Sequence, residues 1–361
     1  MDRRRFLGWL GAALAAPVAG DMTTDRTPLD AWRARRGDAR ADPDDPRDVD
    51  HAPRDVGPVT LFLAGDVMTG RGIDQALPRS VDPRLYESYV KDARDYLRMA
   101  ERASGPIPAP VDLDYVWGDA LAELERVRPD ARIINLETAV TTHDEPWPGK
   151  GIHYRMHPGN APVLAAAGID VCGLANNHVL DWGRPGLEET LGTIRGLGIG
   201  TAGAGANRRE AAEPAVVDTG KGRVRVHAYG TAGAGVPSDW AAAEARPGVN
   251  LLPRVDAGEA DRVADGILAQ RTPGDRVVVS IHWGPNWGYD VPRRHREFAH
   301  RLVDAGAADV IHGHSSHHPM GIEIYRDRPI LYGAGDFLND YEGIRGREKY
   351  RGELALMYFP T

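Results

Sequence analysis

Histidines crowd into one stretch, Ala308–Pro319, where the short apolar run Asp309–Ile311 leads into His312, His314, His317 and His318. Neutral imidazole is the commonest biological metal ligand, and open α/β sheets present ligand-binding groups at the ends of buried strands. A solvated histidine-rich loop is the alternative unless other strand ends supply partners. They do: Asp66 follows the apolar run Val59–Ala64, and Glu137 follows Ala131–Leu136, which also delivers Asn135. Asn177 and His178, with Asp181 just beyond, follow Ile169–Leu174, and His282 ends Val277–His282. Mixed Asp, Glu, Asn and His donors suit manganese, iron or zinc rather than calcium. One or two such divalent ions activate water and clamp a developing oxyanion.

The elements that must position these residues alternate. Helical patterning is expected over Pro83–Ala103, Tyr115–Val127, Pro158–Ala167, Pro185–Arg195, Ala257–Gln270 and Pro292–Ala305, with apolar positions at helical spacing. Strands fall between them, including Val224–Tyr229. A hairpin of Ile322–Tyr325 and Pro329–Tyr332 turns around Asp327-Arg328, and Leu354–Phe359 reads as a last strand. The alternation predicts an α/β class, and the run of β structure near the end argues against one parallel sheet. Two loops share the wording TAGAG, but neither completes a dinucleotide fingerprint, because Arg208 stands where the third glycine belongs.

A chain of 361 residues with a formal net charge of −8 and no long basic run gives no support to nucleic-acid binding. The single cysteine, Cys172, excludes an internal disulfide and a cysteine-rich zinc site. Residues 1–20 begin Asp2-Arg3-Arg4-Arg5-Phe6-Leu7 and continue through an apolar stretch too short to span a membrane, which resembles a twin-arginine export signal. Residues 21–58 are rich in Asp, Arg and Pro and read as a disordered polar linker. A single folded domain is expected over residues 59–361.

The order and spacing of Gly65-Asp66-Val67-Met68, Asn135-Leu136-Glu137, Ala175-Asn176-Asn177-His178 with Asp181 and Gly183, His282-Trp283-Gly284, Gly313–Pro319 and Gly335-Asp336-Phe337 resemble the CapA family of capsule or poly-γ-glutamate synthesis proteins. That family lies within the calcineurin-like metallophosphoesterase superfamily. The resemblance implies a two-sheet β-sandwich flanked by helices. It also implies that Asp66, Glu137, Asn177, His282, His314 and His317 are metal ligands, and that His178, beside Asp181, gives a proton to the leaving group. Met68 departs from the superfamily pattern, which has histidine there, so His317 or His318 would complete the first metal site. Candidate substrate contacts are Trp283, as an apolar wall, Arg155, in a polar segment with Lys150 and His153, and His318. The reading is an exported, metal-dependent hydrolase acting on a phosphoester or amide of an anionic polymer or small molecule, in contact with a membrane capsule-synthesis complex. A non-catalytic polymer-handling subunit and a metal-assisted epimerase are the alternatives.

Overall fold

The structure, a computed structural model, describes residues 57–361. The export-signal reading and all but the end of the linker reading lie outside the described residues. In chain order come β1 (Leu61–Val67), α1 (Arg71–Ala76), α2 (Arg94–Ser104), α3 (Ala120–Val127), β2 (Ala131–Leu136), α4 (Pro162–Ala166), β3 (Val171–Gly173), α5 (Gly183–Gly196) and β4 (Gly200–Ala202). The second half adds β5 (Ala215–Asp218), β6 (Arg223–Thr231), β7 (Leu251–Leu252), α6 (Ala257–Leu268), β8 (Arg276–His282), α7 (Arg293–Asp304), β9 (Val310–His314), β10 (Ile322–Tyr325), β11 (Arg328–Leu331) and β12 (Asp336–Leu338). The result is a mixed α/β architecture.

One sheet has the order β12-β1-β2-β3-β4, all parallel, and the other runs β7-β6-β8-β9-β11-β10, with β5 also paired to β6. In the second sheet β6, β8, β9 and β11 are parallel, while β10 and β5 are antiparallel additions. Strand alternation sorts the side chains into layers. Leu61, Leu63, Ile133 and Val171 of the first sheet meet Val226, Val278, Val310 and Leu331 of the second in one buried cluster between them. The intervening residues point outward: Phe62, Ile134 and Leu136 pack under Leu124, Leu187 and Ile194. Val277, Val279 and Ile311 likewise pack under Val263, Ile267, Phe298 and Leu302. Helix α6 shows how its sequence enforces this: Asp256 caps it by accepting from the Glu259 N–H at 2.9 Å, and Ala260, Val263, Ala264 and Ile267 form one buried stripe.

Four expected elements differ. The helix read over Tyr115–Val127 splits at Gly118, φ +51°, into a tight turn at Tyr115–Trp117 and α3 from Ala120. The helix read over Pro83–Ala103 begins only at Arg94. Residues 83–93 close instead as a loop, with Leu85 N–H donating to Lys91 O and Ala93 N–H to Pro83 O. The segment turns inward because Glu87 is drawn to the buried guanidinium of Arg71 at 2.7 Å. The helix read over Pro158–Ala167 splits into a tight turn at Pro158–Asn160 and the short α4. The last strand reduces to one antiparallel bridge, Tyr358 with Leu63, along the part of β1 that β12 leaves open, and Pro360 has no N–H to extend the ladder.

The strands put two carboxylates side by side. Asp66 in β1 pairs with Asp336 at the start of β12. That approach needs Gly65, since a Cβ there would lie 1.9 Å from the Gly335 carbonyl oxygen, and Gly335 itself holds φ +80°.

Candidate metal centre

The centre lies where the carboxyl ends of both sheets meet. His282 and His314 end the neighbouring strands β8 and β9 and pair directly across the ladder. Their protonation is fixed by a hydrogen-bond chain that starts at a main-chain carbonyl. His312 must donate from Nε2 to Ala64 O, 2.9 Å away in the other sheet, and burial keeps this ring neutral by lowering it to about 4. Its Nδ1 therefore accepts from Ser280 Oγ at 3.2 Å, and the Ser280 oxygen accepts from His314 Nε2 at 2.9 Å. His314 is left with a lone pair on Nδ1. His282 donates from Nε2 to the Asn177 side-chain oxygen at 3.0 Å, so its Nδ1 also carries a lone pair. The two Nδ1 atoms face each other across 2.9 Å, with Asp66 Oδ1 at 3.7 and 3.9 Å from them. Asp66, His282 and His314 are all buried and their donor atoms lie within 4.8 Å of one another. Two facing lone pairs beside a carboxylate oxygen make a donor set that could hold a divalent transition ion.

Further donors surround this core. Asp66 accepts from Asn135 Nδ2 at 2.7 Å and from the Ser315 N–H at 3.0 Å, contacts that orient its carboxylate. Glu137 Oε1 stands 3.7 Å from His282 Nε2. On the other flank His317 Nδ1 is 3.1 Å from Asp336 Oδ1, and Asn339 Nδ2 donates to Asp336 Oδ2 at 2.8 Å. Burial and the neighbouring Asp336 push Asp66 up to about 7. Burial, then Asp66 and Asp336, raise Glu137 well above the usual carboxylate range. Burial opposes charge on His317, but Asp336 beside it raises the ring above its ordinary value. Burial holds His282 and His314 neutral, the form in which imidazole binds metal.

His178 forms a separate arm. Its Nδ1 lies 2.6 Å from Asp181 Oδ2, which also accepts from the Tyr154 N–H at 2.6 Å. Lys150 Nζ reaches Asp181 Oδ1 at 2.6 Å. With its carboxylate so engaged, Asp181 fixes the proton on Nδ1, and Nε2 faces Glu137 at 3.9 Å. Burial, then the charges of Lys150 and Arg71, hold His178 well below its ordinary value, so the ring is neutral. The ring of Tyr154 stacks on it at 3.8 Å. A cleft of roughly 420 Å³ opens over the centre, lined by Glu137, Lys150, Tyr154, His178, His317 and Tyr341 among others.

The profile of the family described as Bacterial capsule synthesis protein PGA_cap matches residues 60–341. The chain belongs to the CapA family. A relative from Mycobacterium tuberculosis, named Probable polyglutamine synthesis accessory protein, is 51% identical over 83% of this chain and 79% of its own. The PGA biosynthesis protein CapA of Bacillus subtilis is 31% identical over 80% of this chain and 66% of its own, and the Capsule biosynthesis protein CapA of Bacillus anthracis is 26% identical over 80% and 62%. A hypothetical protein from Thermus thermophilus superposes with a TM-score of 0.42 at 14% identity over 78% of this chain and 79% of that one.

This CapA-family chain gathers Asp66, Glu137, Asn177, His178, His282, His314 and His317 at one place. Asp181 sits behind His178, fully buried, and acts by orienting the ring. Met68 turns its sulfur to the Gly70 N–H at 3.2 Å, tied into its own loop. The three expected substrate contacts need correction. Arg155 is buried with its guanidinium 3.8 Å from the Trp182 ring and donates to His143 O, because the short pairing of Ala139–Val140 with Arg155–Met156 turns it away from the cleft. Trp283 is a core residue, stacked on His295 and donating from Nε1 to Tyr332 O at 2.9 Å. His318 is buried against Tyr350 and Tyr289, since consecutive residues of the turn point to opposite sides and His317 takes the side facing the centre.

Asp336 escaped a search for strand-end residues because it begins its strand, although the Gly335-Asp336-Phe337 motif marks it. Tyr154 and Tyr341 carry no sequence signal of their own; only the fold brings them to the cleft.

Proposed function

We propose that this CapA-family protein is an exported metal-dependent hydrolase of capsule or cell-envelope polymer metabolism, cleaving a phosphoester or amide in an anionic polymer or a fragment of one. The observation that carries the reading is the facing pair of Nδ1 lone pairs on His282 and His314 beside Asp66. Asp66, His282 and His314 would hold one divalent manganese, iron or zinc ion, with Glu137 and Asn177 at its edge, and His317 with Asp336 offers a flank for a second. The layer order of two facing sheets with helices outside supports placing the chain in the metallophosphoesterase superfamily. When bound, the ion would supply Lewis acidity and make water a nucleophile near neutral pH.

The chain's own residues do the rest. His178, neutral with its Nδ1–H fixed on Asp181, accepts the nucleophile's proton at Nε2 and returns it to the leaving group. The expected donor thus acts first as an acceptor. Asp181 stabilises the charged ring that forms between these steps, and Lys150 keeps Asp181 in place. The word accessory in the name of the mycobacterial relative favours a second reading, in which this protein serves a membrane synthesis complex by handling the polymer without cleaving it. Metal analysis of natively purified protein together with turnover of phosphodiester and amide substrates separates the two: metal with no turnover of either class selects the polymer-handling role.

Two further expectations arise here. In the metal-free protein Asp66, at about 7, binds protons that the unfolded chain has lost above the ordinary carboxylate value. Stability of that form therefore falls as pH rises through this window. Manganese replaces those protons, so the rise in melting temperature on adding it should grow between about pH 5 and about pH 7.5; a pH-independent increment would contradict the assignment. For export, replacing Arg3, Arg4 and Arg5 together with lysine should retain the protein in the cytoplasm, measured by fractionation, and normal secretion of that variant would remove the twin-arginine assignment.

A further inference from the structure

Two tyrosines at the cleft have no duty in the mechanism above. The hydroxyls of Tyr154 and Tyr341 lie 2.7 Å apart. Two phenols carry two hydroxyl hydrogens, and the bond between them uses one. The other is left to donate, and both residues line the cleft that also holds Glu137, Asn177, His178 and His317. Tyr154 is buried, whereas Tyr341 is partly exposed at the cleft surface. Either hydroxyl can donate in that bond, and when Tyr154 donates to Tyr341 the free hydrogen sits on the more exposed residue, the one that an incoming molecule meets.

The pair is held unusually firmly. The Arg71 guanidinium lies 3.9 Å from the centroid of Tyr96, 4.8 Å from Tyr154 and 5.6 Å from Tyr341. Arg71 is buried and saturated: it donates to Glu87, to the Tyr96 hydroxyl and to both oxygens of Asp340, and it does so from a left-handed backbone at φ +45°. Strained residues of this kind persist where the surroundings fix them, and they cluster at functional sites. Tyr154 stacks on His178, and the Tyr341 ring lies 5.7 Å from that of His317. The Tyr341 N–H donates to Asn339, which in turn holds Asp336. The hydroxyl pair thus spans the proton-handling arm and the Asp336 flank.

Resting on the hydrolase reading, we propose that Tyr341 donates its hydroxyl hydrogen to an anionic oxygen of the substrate's reacting group, a phosphoryl oxygen or the oxyanion of a tetrahedral intermediate. Tyr154 backs it as the second donor in a two-bond chain, and Arg71 is the positioning residue for both rings. Donors aimed at developing negative charge are a principal source of rate enhancement, and chained donors reinforce one another.

Calorimetric titration of inorganic phosphate into the manganese-loaded protein tests this. Tyr341→Phe keeps the ring over Arg71 and should weaken phosphate binding roughly tenfold or more, the scale of a hydrogen bond to a charged acceptor. Tyr154→Phe keeps the donor and loses its backing, with an expected loss of about threefold. Manganese content should be unchanged in both. Equal phosphate affinity in Tyr341→Phe and parent, with manganese retained, overturns the tyrosine assignment and leaves the metal reading standing. A parent that holds manganese but binds no phosphate also overturns it. Failure of the metal reading looks different, because the parent then holds no manganese. Titration without metal still decides in that case: the tenfold gap persists if Tyr341 is the donor, and no gap or no binding overturns the assignment.

Discussion

His178→Asn is expected to hold metal as the parent does and to lose turnover by about 10²–10⁴-fold, the usual worth of a positioned acid–base group. The side chain is neutral, with Nδ1 fixed on Asp181, and its Nε2 lies 3.9 Å from Glu137. Asparagine keeps a polar group of similar reach and removes the nitrogen that can take and release a proton. The pH profile gives a second readout. Burial, Lys150 and Arg71 lower the ring's proton affinity. A base with a depressed value stays active to more acidic pH, so the parent's acidic limb should lie below the ordinary histidine value of about 6.5. That limb should be missing from the variant. Loss of metal in step with activity would make His178 a ligand, and unchanged activity would remove it from the mechanism.

His314→Ala carries the largest expected effect on metal. It removes one of the two facing lone pairs and breaks the hydrogen-bond chain from Ala64 through His312 and Ser280. Partners outside the ligand set are commonly worth about 10–100-fold in affinity, so loss of this ligand should exceed about 100-fold and leave purified protein nearly metal-free. The β8–β9 ladder needs only the backbone of residue 314, so circular dichroism should remain that of the parent. Stoichiometric metal in this variant would move the centre to the Asp336–His317 flank.

Much of the site was legible because strand ends carry local signatures. An apolar run ending in Asp66, Glu137, His282 or His314 shows both the strand and the group it delivers, and parallel strands bring such ends to one edge. What stayed hidden depended on contacts distant in sequence. Arg155 looks like an anion contact as a bare cation in a polar segment, yet Trp182 covers its guanidinium. Trp283 follows the candidate ligand His282, but it points into the core beneath α7. The segment at residues 83–93 has helical spacing, and a buried ion pair with Arg71 overrides it. The adjacent histidines 317 and 318 are indistinguishable by composition, and only the turn decides which one meets Asp336.

The placement of β12 beside β1 constrains the order in which the molecule matures. Arg71 and Asp340, joined in the same neighbourhood, are 269 residues apart in sequence. During synthesis β1 to β4 emerge with one flank of β1 open, and the exposed N–H and C=O groups there invite pairing with other chains. Loop closure over such a span is slow, and a topology rich in distant contacts folds late. The carboxylate pair at Asp66 and Asp336 therefore comes together only after Asp336 has been made, 270 residues later, when two like charges must be buried side by side. If the proposed metal reading holds, a cell that supplies the ion at that moment would complete the fold and load the centre in one event. One starved of it would accumulate chains with an unsealed edge, and aggregation rather than inactive monomer is the outcome that topology favours.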